Sequence, residues 1–137
     1  MPHRTSVEAL IRAYYAAFNT GDAEGMLALM TDDVVHDINQ GGRETGIPAF
    51  RIFMARMNAH YKEELHDITV MVDAEGRRAA AEFTVHGTYL VTDEGLPEAR
   101  GQGYVLPAGA FFEVRGGRIA RVSNTYNLAD WIAQVGR

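Results

Sequence analysis

The sequence predicts one α+β domain spanning residues 1–137, with helices gathered on one side of a curved antiparallel sheet. Three observations support this fold class. Apolar residues follow helical spacing through much of the first 61 residues, and from His66 onward they alternate with polar residues. A single β-branched run, VVHDI at residues 34–38, interrupts the helical part. A chain of 137 residues is long enough for one such domain with a substantial hydrophobic core.

Three helices are predicted in the first part of the chain. Thr5 and Glu8 form a capping-box pattern, so the first helix is expected to begin there and to end at the glycine stop signal of residues 19–21. Asp22 is expected to cap a short second helix, and Pro48 suits the first turn of a third helix. The apolar face of the third helix comprises Phe50, Phe53, Met54, Met57 and Tyr61.

The remaining elements are strands and one short helix. Residues 39–46, NQGGRETG, are predicted to form a loop because of their glycines. The segments DITVMVDA, RRAAAEFTVHGTYLV, QGYVLPAGAFFEV and RIARVSNTY predict four consecutive strands. A hairpin at Gly116 and Gly117 joins the last two strands, and LADWIAQV predicts a final helix.

Composition and charge exclude several classes of function. The formal net charge is −5 and no basic stripe is present, so no nucleic-acid partner is expected. The absence of cysteine excludes disulfides, thiolate catalysis and cysteine metal sites. No apolar run approaches the roughly 18 residues of a membrane span, and no signal-peptide pattern opens the chain. We therefore expect a cytoplasmic protein without a membrane partner.

Neither a metal nor another cofactor is expected. His60 and Glu64 lie four residues apart, but no second histidine shares their helical spacing and the usual zinc signatures are absent. The glycine clusters at 41–42, 101–103 and 116–117 lack the spacing of phosphate-binding or dinucleotide-binding loops, so they predict turns.

Three segments resemble a known family. YYAAFNTGDAEGMLALMTDDVV, RGQGYVLPAGAFFEVRGGRIARV and DWIAQVG are similar to the SnoaL-like polyketide cyclases and ketosteroid isomerases of the nuclear transport factor 2-like superfamily. The resemblance extends from about Val7 to Gly136. It implies a cone-shaped α+β barrel (a cystatin-like roll), usually homodimeric, with a pocket between the sheet and the first and third helices. The activity stays open, because this fold carries many unrelated functions.

Alternation along each strand predicts which side chains enter the pocket. The residues that the resemblance places inward on the last two strands are Ala110, Phe112, Val114, Val122, Asn124 and Tyr126. On the first strand His36 and Ile38 share one face, and Asp37 lies on the other. His36 and Asp37 therefore cannot form a catalytic pair with each other. If Phe83 faces the pocket, its polar neighbours Glu82 and His86 face outward.

The catalytic groups of the family are only partly present. Ketosteroid isomerases use a pocket carboxylate as the base, with a tyrosine and a protonated aspartate that stabilise the enolate. By resemblance, the base falls on Ile38, the protonated acid on Ala110 and the tyrosine on Tyr14. The acid/base aspartate of the SnoaL-like cyclases corresponds to Asn124, whose amide forms hydrogen bonds but does not titrate near neutrality. Steroid isomerisation by the family's route is therefore not expected.

The catalytic candidates are His36, Asn124 and Tyr14. His36 is the titratable pocket residue that remains, and an ordinary histidine pKa of about 6.5 suits proton transfer. Two interpretations stay open for it. His36 is either a general acid/base flanked by Tyr14, Asn124 and Tyr126, or a neutral histidine hydrogen-bonded to one of these tyrosines in the pocket wall. Asn124 is either a ligand contact or a buried amide.

The ligand-binding candidates are the apolar and aromatic residues expected to line the pocket. They are Tyr126, Ile38, Phe53, Met54, Met57, Phe83, Ala110, Phe112 and Val122. Phe53, Met54 and Met57 are equally compatible with a role in the core, since methionines that line a pocket also adapt to varied ligands.

Two functions are compatible with these residues. The first is an enzyme, or former enzyme, that enolises a small, largely apolar carbonyl compound for isomerisation or cyclisation. In that case Tyr14, Asn124 and Tyr126 bind the oxygen and His36 moves the proton. The second is a non-catalytic module that binds a small hydrophobic molecule or serves as an interaction domain. In both cases a homodimer through the outer sheet face is expected.

Overall fold

Residues 3–137, which the computed structural model describes, form four α-helices and one six-stranded sheet. In chain order the elements are α1 His3–Asn19, α2 Ala23–Leu27, β1 Met30–Asp37, β2 Arg43–Thr45, α3 Ile47–His60, β3 Tyr61–Val72, β4 Arg78–Tyr89, β5 Gly103–Arg115, β6 Arg118–Tyr126 and α4 Leu128–Val135. The predicted α+β class is confirmed. Within this part of the chain, no helix has both the length and the apolar character needed to cross a membrane.

The strands are arranged in the order β2-β1-β6-β5-β4-β3. The last four strands of the chain pair antiparallel with their sequence neighbours, as the alternating pattern predicts. β1 joins the sheet by pairing parallel to β6, with His36 opposite Val122. This long-range parallel pair places the histidine strand beside the strand that carries Asn124.

Most helix boundaries agree with the local sequence signals. α1 ends at Asn19, and the Asp22 carboxylate caps α2 by accepting a hydrogen bond from the Gly25 amide at 2.9 Å. The predicted capping box is wrong, because α1 already includes His3. Glu8 instead forms an ion pair with Arg12, one turn further along the helix, at 2.9 Å.

Two strands differ from the prediction. β3 begins at Tyr61, directly after α3, and not at His66. Its first residues do alternate, but a charged side chain, Glu63, occupies an inward position, and this hides the period-two pattern. Within the predicted loop, Arg43–Thr45 forms the short strand β2 on the edge of β1. All three of its residues are exposed, so β2 carries no hydrophobic alternation that would identify it.

The hairpin between β5 and β6 has the predicted turn. Gly116 and Gly117 adopt φ values of +59° and +77°, and two consecutive positive φ values are typical of the type I′ turn. The pairing of β5 with β6 is irregular between Glu113 and Val114, next to this turn. The pairing of β5 with β4 continues through Pro107 without a shift in register. The inward positions of Ala110 and Phe112 are therefore the predicted ones.

The core lies between the inner face of the sheet and the helices. Tyr14 and Tyr15 of α1 pack edge-on against Phe112, with ring centroids 5.6 and 6.1 Å apart. At the other end of the sheet Trp131 of α4 packs edge-on against Tyr89, with centroids 4.9 Å apart. α1 and α4 thus cover two separate regions of the same inner face.

Candidate functional site

His36 and Asp37 point to opposite faces of β1, as predicted. The His36 side chain is 2% exposed, and its ring stacks on Phe50 with centroids 4.3 Å apart. Phe53 contacts the same ring edge-on at 4.5 Å. On the other face, the Asp37 carboxylate accepts a hydrogen bond from Arg43 Nε at 2.6 Å. The two neighbours therefore belong to different environments.

His36 lacks a polar partner within the described part of the chain. Its Nδ1 atom is buried without a hydrogen bond, so the hydrogen bond to a tyrosine considered above is not formed. Burial lowers the pKa of His36 to about 4, and the nearby negative charge of Asp37 opposes this only in part. The imidazole is therefore neutral at physiological pH. A role for it in proton transfer stays a prediction.

The sequence-derived site residues fall into two groups by exposure. Seven of them are 8% exposed or less and belong to the core: Tyr14, His36, Met54, Phe83, Ala110, Phe112 and Val122. Four more are half-buried: Ile38, Phe53, Met57 and Asn124. Tyr126 is 39% exposed. The four half-buried residues and Tyr126 keep part of their surface exposed to solvent. They are therefore the predicted site residues that a ligand can reach.

The positions at which the resemblance expects carboxylates meet at one place on the inner face. Ala110 pairs with Asn124 across β5 and β6, and the pairing of Asp37 with Ser123 brings Ile38 alongside Asn124. Asn124 is half-buried, and its amide atoms are not among the fully buried polar atoms, so the amide stays accessible, and no described residue forms a hydrogen bond with it. An unpaired amide beside apolar neighbours is suited to bind a ligand oxygen.

A second group of polar side chains lies on the inner face, and we call Tyr61, Glu63, Asp93, Tyr104 and Tyr126 the tyrosine–carboxylate cluster. The Tyr104 hydroxyl donates to Glu63 Oε2 at 2.5 Å, and the Tyr61 hydroxyl donates to Asp93 Oδ2 at 2.7 Å. Asp93 is only 5% exposed and also accepts a hydrogen bond from Arg56 at 2.5 Å. Each carboxylate of the cluster is therefore held by a tyrosine.

Sequence reasoning missed four members of this cluster. Tyr61 was assigned to the third helix, and Glu63 lies between that helix and the strand pattern expected from His66 onward. Asp93 lies in a segment, TDEGLPEARG, that predicts only a loop. The signal that could have identified Tyr61 and Glu63 is their alternation with Leu65. It places all three on the inner face if the strand begins at residue 61.

Gly87 makes the contact between Tyr104 and Glu63 possible. The three residues form one row across β5, β4 and β3, with Gly87 paired to both neighbours. A Cβ atom at Gly87 would lie 2.2 Å from Cζ of Tyr104. The absence of a side chain thus lets the tyrosine ring cross the middle strand and reach the carboxylate.

The charge state of the cluster depends on burial and on its hydrogen bonds. Burial raises the pKa of Glu63, and the hydrogen bond from Tyr104 acts in the opposite direction because it stabilises the carboxylate. Burial also raises the pKa of Tyr126, and the negative charges of Glu63 and Asp93 raise it further.

A cleft of about 590 Å³ opens beside Glu63 and Tyr104. Its lining includes Lys62, Glu64 and His86, which occupy outward-facing positions of β3 and β4. Asn19 at the end of α1 and Gln134 on α4 complete it. This volume is within the range of small-molecule sites, roughly 300–1,000 Å³. Across the described residues, no group of three or more histidine, aspartate or glutamate side chains is arranged to hold a metal ion.

Comparison with known proteins identifies relatives over nearly the whole chain. The family model for the SnoaL-like domain matches residues 11–122. A proposed polyketide cyclase from Xanthomonas campestris pv. campestris is 57% identical, covers 97% of this chain and 98% of its own, and has a TM-score of 0.95. One from Pseudomonas putida KT2440 is 63% identical over 92% of this chain and 95% of its own, with a TM-score of 0.90.

A third such structure, from Silicibacter sp. TM1040, is 52% identical, covers 96% of each chain and has a TM-score of 0.94. No curated protein matches the chain. These similarities show the family and the fold, whereas the chemistry of the site has to be argued from its own residues.

Proposed function

The chain belongs to the SnoaL-like domain family, and we propose that it binds a small, largely apolar carbonyl compound on the inner face of its sheet and promotes enolisation there. The observation that carries this proposal is the unpaired amide of Asn124, which lies among half-buried apolar side chains facing the helices. A ligand carbonyl placed there can accept a hydrogen bond from the Asn124 amide, which forms none with the described residues.

The surroundings of Asn124 determine the kind of ligand that fits. Ile38 lies alongside Asn124 on the neighbouring strand β1, and Phe53 packs against His36 of the same strand. Tyr126 lies two residues beyond Asn124 on β6. Such a wall, with few and convergent polar groups, is typical of small-molecule sites. Aromatic or polycyclic ketones, and the phenols that resemble their enols, match this combination of apolar surface and oxygen-directed donors.

A thermal-shift experiment tests this proposal. α-Tetralone serves as a bicyclic ketone probe and 2-naphthol as a stable analogue of its enol. Both are expected to raise the melting temperature of the native protein further as their concentration increases, because they bind only the folded form. The Asn124→Leu variant is expected to lose the shift, whereas Thr125→Val, on the outer face of the same strand, is expected to keep it. An unchanged shift in Asn124→Leu contradicts the proposed oxygen contact.

A non-catalytic binding module is the second candidate. The observation that favours it is the burial of His36 between two phenylalanine rings, where a neutral imidazole is a poor match to a proton-transfer role. On this alternative the probes bind, but the protein does not exchange the α-protons of α-tetralone with solvent deuterium. The same ligands therefore separate the two functions.

We also propose that a second copy of the chain covers the outer sheet face. Phe111, Ala80 and Met71 lie side by side across β5, β4 and β3, and the Phe111 side chain is 52% exposed. Exposed apolar residues in a row support an isologous contact. The native chain is expected to elute as a dimer in light-scattering chromatography, and Phe111→Lys as a monomer. A native monomer at all concentrations contradicts this arrangement.

A further inference from the structure

We infer that Asn39 is a positioning residue of the proposed ligand site, because its side-chain amide holds Tyr126 in place beside Asn124. This role rests on the proposed function, in which Asn124 and Tyr126 lie against the ligand. Asn39 acts through Tyr126, at the point where the last strand of the sheet ends, and it determines how tightly the ligand binds.

The amide of Asn39 binds both backbone polar groups of Tyr126. Its Nδ2 atom donates a hydrogen bond to the Tyr126 carbonyl oxygen at 3.0 Å, and its Oδ1 atom accepts one from the Tyr126 N–H group at 3.5 Å. A residue in a neighbouring antiparallel strand exchanges the same two bonds with its partner. Asn39 therefore takes the place of a strand partner at the end of β6.

β1 leaves the sheet before it reaches Tyr126. Its last pair with β6 joins Asp37 to Ser123, whereas β6 continues to Tyr126. Directly after Tyr126 the chain turns into α4, which Asn127 caps by accepting a hydrogen bond from the Asp130 amide at 3.0 Å. Tyr126 is thus the junction between a strand and a helix, and the side-chain amide fixes its backbone on the side where β1 has ended.

The turn that carries Asn39 is tightly closed. The Ile38 N–H group donates to the Gly42 carbonyl oxygen at 3.1 Å, and the Gly41 N–H group donates to the Ile38 carbonyl oxygen at 2.9 Å. A Cβ atom at Gly41 would lie 3.0 Å from Cγ2 of Ile38, so the turn packs directly on that side chain. Gln40 adopts a φ of +61°, a left-handed conformation that persists where the surroundings fix it. Asn39 therefore holds Tyr126 from a fixed frame.

Fixing the backbone of Tyr126 determines where its ring lies. Tyr126 and Asn124 are two residues apart on β6 and point to the same face of the sheet. Tyr126 is 39% exposed, so burial by its neighbours does not by itself hold the ring. Ordering a loose side chain on binding weakens affinity, and a side chain that is held in place beforehand avoids this cost. The contact made by Asn39 thus strengthens binding without touching the ligand.

A double-mutant cycle tests this role. Isothermal titration calorimetry measures the dissociation constant of 2-naphthol for the native protein, Asn39→Ala, Tyr126→Ala and the double variant. Asn39→Ala is expected to weaken binding roughly three- to tenfold, and Tyr126→Ala at least as much. Because Asn39 acts through Tyr126, the double variant is expected to bind no more weakly than Tyr126→Ala alone.

Two further variants complete the experiment. Asn39→Asp keeps the shape of the side chain but turns an acceptor toward the Tyr126 carbonyl oxygen, so it is expected to weaken binding at least as much as Asn39→Ala. This variant keeps the test decisive if Asn39→Ala folds poorly. Asn58→Ala, at an exposed position of α3, is the matched control and is expected to bind like the native protein.

The outcomes separate this role from the proposed function. A loss of affinity in Asn39→Ala that disappears in the Tyr126→Ala background supports the role. Unchanged affinity in Asn39→Ala, even with a lower melting temperature, overturns it, because the contact then only stabilises the fold. Losses that multiply in the double variant overturn it as well. In both of these cases the ligand site stands, whereas the proposed function and the role of Asn39 fail together if 2-naphthol does not bind the native protein.

Discussion

The imidazole ring of His36 lies nearly parallel to the phenyl ring of Phe50, with centroids 4.3 Å apart and an angle of 16° between the planes. A titratable side chain is thus part of the apolar core. The free energy of unfolding must therefore depend on pH, because the unfolded chain protonates this histidine more readily than the folded chain does.

The first prediction concerns this dependence. The folded-state pKa of His36 is lowered from 6.5 to about 4, so its stabilising contribution is complete above pH 6.5 and is lost as the pH falls toward 4. As the pH falls through that window, the free energy of unfolding of the native protein should decrease by up to about 1.4 kcal/mol per pH unit more than that of His36→Leu. Urea denaturation of both proteins between pH 7.5 and 4.5 measures the difference, and parallel curves would contradict it.

The second prediction concerns Gly87 and Tyr104, its partner on β5. Gly87→Ala should displace the Tyr104 ring and cost about 1–3 kcal/mol of stability, because the new Cβ overlaps that ring. Gly103→Ala is the matched control, since its Cβ would meet only the Gly87 carbonyl oxygen, at 3.9 Å. Thermal melts of the two variants check this, and equal melting temperatures would show that the ring moves without cost.

The third prediction concerns the stability of Glu63→Gln. Because burial raises the pKa of Glu63, the folded state is penalised once the carboxylate ionises, and native stability falls as the pH rises from the unfolded-state value of 4.5 to the folded-state value. Glu63→Gln removes that penalty and keeps an acceptor for Tyr104. Its melting temperature at pH 8 should exceed the native one by a few degrees, and the gain should disappear near pH 4.

A melting temperature of Glu63→Gln below the native one at pH 8 would mean that the charged form of Glu63 is well accommodated.

The fourth prediction concerns Asp93, which connects the loop after β4 to the rest of the fold. Its carboxylate accepts hydrogen bonds from Tyr61 at 2.7 Å and from Arg56 at 2.5 Å. Asp93→Ala leaves the Tyr61 hydroxyl without its partner and should cost roughly 2 kcal/mol or more. Hydrogen exchange in residues 90–102 should accelerate. Glu94→Ala, at the exposed neighbouring position, should leave both quantities unchanged.

Much of the fold could be predicted from local signals. The end of α1 at Asn19, the cap at Asp22 and the last helix, Leu128–Val135, follow from residues that lie next to one another in the chain. The opposite directions of His36 and Asp37 follow from strand geometry alone. β2 and the start of β3 were missed, since β2 is too short and exposed to carry a pattern and Glu63 interrupts the alternation of β3.

The sequence by itself determined the family, the fold class and the inward or outward direction of most strand residues, because these depend on local propensity and on a period of two. Only the tertiary structure decided that Tyr104 reaches Glu63, 41 residues away, across a glycine. It also decided that His36 is enclosed by two phenylalanines of α3. Both contacts depend on sheet register and on how the helices close over the sheet, and these are long-range properties that no local pattern records.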